Sequence, residues 1–160
     1  MLEPLELIAI YDSSLRELIA FNWSEVYAPE SSDANIKFRH AVIQAVIANP
    51  ENVPLELLRD LFDEETRFAA EVGGTNPILR PLTLLMLKAG GSKYLREFLE
   101  YRERSMDVAC ATSEIIFPRE LSQQLLQECQ IKLAQRNTVC ESRLWEQGIK
   151  FFHWQLEKHL

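Results

Sequence analysis

Two ten-residue stretches, Asn49-Pro50-Glu51-Asn52-Val53-Pro54-Leu55-Glu56-Leu57-Leu58 and Asn76-Pro77-Ile78-Leu79-Arg80-Pro81-Leu82-Thr83-Leu84-Leu85, share the pattern Asn-Pro-x-x-x-Pro-Leu-x-Leu-Leu. The offset is 27 residues at every matched position, from Pro50 to Pro77, Pro54 to Pro81 and Leu58 to Leu85. Pro50 and Pro77 push the asparagine before them out of the α region and so stop any helix that runs into them. Pro54 and Pro81 stand where a new helix can start, because proline at the first helical position loses no needed N–H and arrives with a suitable φ. Each copy therefore predicts a helix stop, a corner and a helix start. Corners at a fixed interval stack helices side by side, each burying its leucines against the next. On this reading Leu57 and Leu84 are equivalent core positions. Pro118, Leu121, Leu125 and Leu126 form a degenerate third copy that does not keep the interval.

The run Ala45-Val46-Ile47-Ala48-Asn49-Pro50, followed by Pro54, Glu56, Leu57 and Leu58, resembles the leucine-rich repeat variant, a HEAT-like helical repeat. The resemblance spans about residues 38–89. In the second copy Gly73 and Gly74 stand in place of Val46 and Ile47, and the interval is longer than that family's repeat. What it implies is architecture, stacked short helices of the kind that mostly serve as binding scaffolds.

The rest of the chain fits that expectation. Residues 4–21 read helical, with Ile8, Tyr11, Leu15 and Leu18 on one face and a division at Asp12-Ser13-Ser14, while residues 23–35, with Pro29 and Ser31-Ser32-Asp33, read as a connector. A central helix is expected over residues 35–48. Short helices follow from Pro54 to Phe62, Glu64 to Val72 and Pro81 to Lys88, the last two ended by Gly73-Gly74 and Gly90-Gly91. In this scheme Asp63-Glu64-Glu65 is an acidic first turn favoured by the helix dipole. Ser92 caps a helix running to Ser105, and residues 106–117 are either helical or an extended link. Two long helices close the chain. The first carries Leu121, Leu125, Cys129 and Leu133; the second starts at the capping box Thr138-x-x-Glu141 and buries Trp145, Ile149, Phe152 and Leu156. The expected fold is all-α: one domain over residues 1–160, an irregular right-handed HEAT-like α-solenoid closed by a longer C-terminal helix pair.

The chain holds 17 Lys and Arg against 24 Asp and Glu, a net charge of −7. That balance argues against nucleic acid, which needs a concentrated basic face. Lys93, Arg96, Arg102 and Arg104 alternate with Glu97, Glu100 and Glu103, as on a solvated helix face. No stretch approaches the ~20 apolar residues of a membrane span. Met1 to Phe21 lacks the basic-then-apolar order of a secretory signal, so the reading is a cytoplasmic protein. Cys110, Cys129 and Cys140 are an odd number without Cys-x-x-Cys spacing and read as free thiols.

No phosphate loop or nucleophile elbow is present. His40 with Gln44 and His153 with Glu157 are i,i+4 pairs with no third ligand in view, and no cofactor or metal is expected. The function expected is a non-catalytic protein-binding adaptor or regulatory module. One alternative is a ligand-binding or enzymatic pocket near Trp23, Tyr27 and His40; another is a structural homodimer through the C-terminal helix. The candidate interaction surface is Trp154 with Lys150, Arg143 and Gln147. At ~100° per residue these positions cluster opposite the core stripe of the last helix, and tryptophan is enriched at interface centres.

Overall fold

A computed structural model of the chain describes residues 2–23 and 33–160. Among them are eight α-helices: α1 (Pro4–Ile10), α2 (Ile36–Ala48), α3 (Leu55–Val72), α4 (Leu79–Gly90), α5 (Leu95–Arg102), α6 (Met106–Ser113), α7 (Arg119–Ala134) and α8 (Val139–Glu157). Short 3₁₀ turns occupy Ser13–Leu18 and Gly91–Tyr94. Extended pairing among the described residues is limited to an isolated antiparallel bridge between Trp23 and Asp33. Tyr27 and most of the expected connector lie outside the described residues.

Local chemistry explains where most helices begin. Glu3 and Glu6 form a capping box around Pro4 at the start of α1. The division expected near residue 12 is present, but Asp12 caps the following turn, accepting a 2.7 Å hydrogen bond from the Ser14 N–H. Thr138 and Glu141 cap each other at the start of α8 as the sequence indicates. The helix expected from Ser92 to Ser105 is instead a 3₁₀ turn, α5 and a stop, and Ser105 caps the separate helix α6 by accepting from the Val108 N–H.

The two Asn-Pro corners are not built alike. Pro54 immediately precedes α3, after Asn52 at φ 61°. Pro81 is the third residue of α4, which starts at Leu79. A first-turn N–H has no intrahelical acceptor, so proline is tolerated there as well. The leucines follow the difference: Leu57 is fully buried, whereas Leu84 is only partly covered.

A second departure matters more for the candidate site. The two short helices expected from Pro54 to Val72 are one continuous α3 of 18 residues. Nothing between Phe62 and Glu64 breaks a helix, and Asp63-Glu64-Glu65 lies in its middle, buried. The acidic first turn inferred from sequence does not exist.

Packing joins α1 to α2, α3 to α4 and α6, α5 to α8, and α7 to α8. Phe98 of α5 sits in the centre, its ring 6.2 Å from Phe62 of α3, 6.2 Å from Phe117, 5.7 Å from Phe151 and 6.4 Å from Phe152 of α8. On α8 the buried face is Trp145, Gly148, Phe151, Phe152 and Gln155, with Ile149 and Leu156 half-buried at its edge. It is rotated from the expected stripe because Leu99 of α5 and Cys129 of α7 close directly over Gly148, where a Cβ would come within 2.8 Å and 2.7 Å of their side chains.

Candidate functional site

The outer face of α8 carries the residues singled out from the sequence. Arg143 and Lys150 are exposed, Gln147 is half-buried, and Trp154 keeps 43 % of its surface in solvent. The Trp154 ring is held from two sides, with its centroid 6.2 Å from that of Phe151 and the Lys158 Nζ 3.7 Å above it. Lys158 is itself fixed, donating to the carbonyl of Ser113, the last residue of α6, at 2.6 Å and to that of Ile115 at 3.3 Å. Desolvation in this position lowers the pKa of its ammonium group. A lysine stem beside Trp154, from Lys150 or Lys158, is what the sequence leads one to expect, and it is Lys158 that lies over the ring. Both are one turn from Trp154, and i,i+4 neighbours meet.

The densest chemistry lies elsewhere, on α3. Asp60, Asp63, Glu64 and Glu65 are all buried, and so is Arg39 of α2. Arg39 donates to Glu65 at 2.6 Å, to Asp33 at 2.6 Å and to the Ile19 carbonyl at 3.2 Å. Arg16 reaches Glu64 with Nε at 2.9 Å and Nη2 at 2.6 Å, Asp60 at 3.1 Å, and Asp63. The Tyr11 hydroxyl donates to Asp60 at 2.7 Å, Arg59 Nη2 to Asp60 at 2.7 Å, and the Phe21 N–H to Glu64 at 2.8 Å. Arg104 donates through Nη1 to the Asp63 carbonyl at 2.9 Å, to Thr66 at 2.8 Å and to the Asp63 carboxylate; Arg67 adds a 3.2 Å bond to that carboxylate.

Every carboxylate in this set thus accepts from a guanidinium group. The titration behaviour follows: burial alone would raise the Asp63 pKa, but hydrogen bonds from Arg104 and Arg16 outweigh it and hold the group below its ordinary value. Burial would lower the Arg16 and Arg39 values, yet their carboxylate partners drive both upward. Tyr11 is pushed well above the usual phenol range by burial and by its bond to Asp60.

Of the pocket expected near Trp23, Tyr27 and His40, Tyr27 lies outside the described residues, and the other two have these surroundings. His40 turns its Nε2 to Glu65, 3.1 and 3.2 Å from the two carboxylate oxygens. Trp23 lines a separate half-open hollow of about 550 Å³, together with Phe21, Arg67, Ala70, Glu71 and Arg104. Neither i,i+4 histidine pair forms a ligand set, and among the described residues no group of three or more His, Cys, Asp and Glu side chains is arranged to hold a metal ion. All three cysteines are free thiols, Cys110 and Cys140 exposed and Cys129 buried. Desolvation, with a contribution from Glu128, pushes the Cys129 thiol up to about 12. No described helix is long and apolar enough to cross a membrane.

Comparisons with protein families, with curated proteins and with solved structures return no match.

Proposed function

We propose that this chain is a non-catalytic, cytoplasmic protein-binding module of the adaptor or regulatory kind, in which stacked helices of solenoid type present the outer face of α8 to a partner. The observation that carries the reading is the immobilised indole of Trp154, clamped between Phe151 and Lys158 yet 43 % exposed. An aromatic side chain already fixed in place loses little conformational entropy on burial, which is what makes tryptophan effective at the centre of an interface.

Charge indicates the kind of partner. Lys150 lies one turn before Trp154 and Arg143 about two turns further back on the same face of α8, and neither has an ion-pair partner among the described residues, although the chain as a whole carries −7. Such a local excess suits a partner segment that places acidic residues around an apolar recess, with the charges governing encounter rate and orientation.

The test compares the wild-type chain with Trp154→Ala and with Lys150→Glu as baits in quantitative co-purification from source cells. The expected result is a defined polypeptide held by the wild type and lost by both variants, with direct binding reproduced from purified components. Equal retention by all three baits would remove α8 from the interface. Mass measured across a concentration series distinguishes a second copy of this chain as the occupant.

A further inference from the structure

The hollow beside Trp23 brings together two aromatic rings, two guanidinium groups and enough room for a small molecule. One side of it is an edge of α3, where Arg67, Ala70 and Glu71 follow one another at i, i+3 and i+4. Phe21 and Trp23 supply the rings, their centroids 6.1 Å apart and their planes at 73°, and Phe21 is backed edge-on by Phe68 at 6.0 Å. A volume of about 550 Å³ lies within the range of small-ligand pockets.

Counting hydrogen bonds among the described residues, the two arginines are held by one edge and unpaired on the other. Arg67 uses only Nε, toward Asp63, and its side chain is 51 % exposed. Arg104 uses only Nη1, toward Asp63 and Thr66, and is stacked 3.9 Å over the Tyr101 ring. Arg67 therefore retains both terminal nitrogens as donors, and Arg104 retains Nε and Nη2. The Asp63 carboxylate beneath them is saturated on its other oxygen by Arg16. A guanidinium group positioned this way offers a planar fork to a carboxylate or phosphate with little ordering left to do. The exposed Trp23 ring, 54 % in solvent, offers a stacking surface next to that fork.

We propose that this hollow is a binding site for a small aromatic anion, a planar ring bearing a carboxylate or a phosphate, with the ring against Trp23 and Phe21 and the anionic group on Arg67 and Arg104. Glu71 at the rim repels a second negative charge and accepts from a donor on the ring, so the class is narrowed to compact ligands with one anionic group. The site is separate from the α8 face, and its failure would leave the protein-binding reading untouched.

Titration calorimetry with four probes tests it: phenyl phosphate, benzoate, inorganic phosphate and p-cresol. Saturable binding of phenyl phosphate or benzoate is expected, at least about tenfold tighter than inorganic phosphate or p-cresol. Whichever of the two aryl anions binds more tightly identifies the anionic group. Arg67→Ala and Trp23→Ala should each weaken binding about tenfold or more, while thermal melts establish that both variants fold. Arg67→Lys, which keeps the charge and loses the fork, should fall between wild type and Arg67→Ala. Inorganic phosphate binding as well as phenyl phosphate would reduce the hollow to an unspecific anion patch. Equal binding of p-cresol, or no binding of either aryl anion, would overturn the proposal.

Discussion

Arg39 of α2 and Glu65 of α3, 26 residues apart in the chain, are joined by a 2.6 Å hydrogen bond from Nε to Oε1 with both side chains withdrawn from solvent. Removing one member strands the other, and an uncompensated buried charge costs about 3–5 kcal/mol. Arg39→Met is therefore expected to lower the urea stability by about that much. Asp33 also depends on Arg39, so the triple replacement Arg39→Met, Glu65→Leu and Asp33→Asn should recover much of the loss. A triple variant no more stable than Arg39→Met would show that the network does more than neutralise charge.

Gly148 has a different kind of necessity. A Cβ at this position would lie 2.7 Å from the Cys129 sulfur and 2.8 Å from a Leu99 methyl, so Gly148→Ala forces α8 away from α7 and α5. Overpacking of this kind costs about 1–3 kcal/mol. Adding Cys129→Ala should restore part of it, which a double-mutant cycle in denaturant would measure.

Gln155 is fully buried, and among the described residues neither the oxygen nor the nitrogen of its amide has a hydrogen-bond partner. Replacing an unpaired polar group by an apolar one of similar volume is neutral or stabilising. Gln155→Met is expected to hold or raise the thermal midpoint, and a marked drop would reveal a hydrogen bond formed in solution.

Trp145 and Trp154 should separate cleanly. Trp145 is buried, and truncation to alanine in a core costs about 3–5 kcal/mol. Trp154→Ala removes a half-exposed ring and should leave the midpoint within ~1 kcal/mol of wild type. Matched thermal melts decide it, and equal destabilisation would place Trp154 in the core.

Asp63 sets an expectation for acid. Its folded pKa lies below its unfolded one, because the bonds from Arg104 and Arg16 overcome desolvation. The stabilisation is therefore complete above the unfolded value of about 3.9 and disappears as pH falls through the folded value. Urea stability should be level from neutral pH to about 5 and decline below about 4. Asp63→Asn should be less stable at neutral pH and lose less on acidification.

What the sequence made legible was local. The Thr138–Glu141 capping box, the Cys129 position on the α7 stripe and the polar outer face of α8 each depend on residues three or four apart, and the all-helical class follows from such spacings. The α3 network was hidden because its partners are distant: Arg16 lies 48 residues from Glu64, and Arg104 lies 41 from Asp63. The run Asp63-Glu64-Glu65 therefore looked like a dipole-favoured first turn. Two local signs pointed the other way. The stretch from Leu55 to Val72 contains no glycine or proline, so it had no reason to stop at Phe62. Arg39 occupies the same helix face as Val42, Ile43 and Val46, and a cation on an apolar face needs a buried counter-charge.

Phe98 gives the molecule a property that its separate helices lack. One ring touches α3 on one side and the Phe117, Phe151 and Phe152 cluster on the other, so neither half can open without exposing the core of the other. Linear stacks of repeats can fray from an end, one unit at a time. A shared aromatic hub couples the two ends into a single cooperative unit, for which calorimetric and van't Hoff enthalpies of melting coincide.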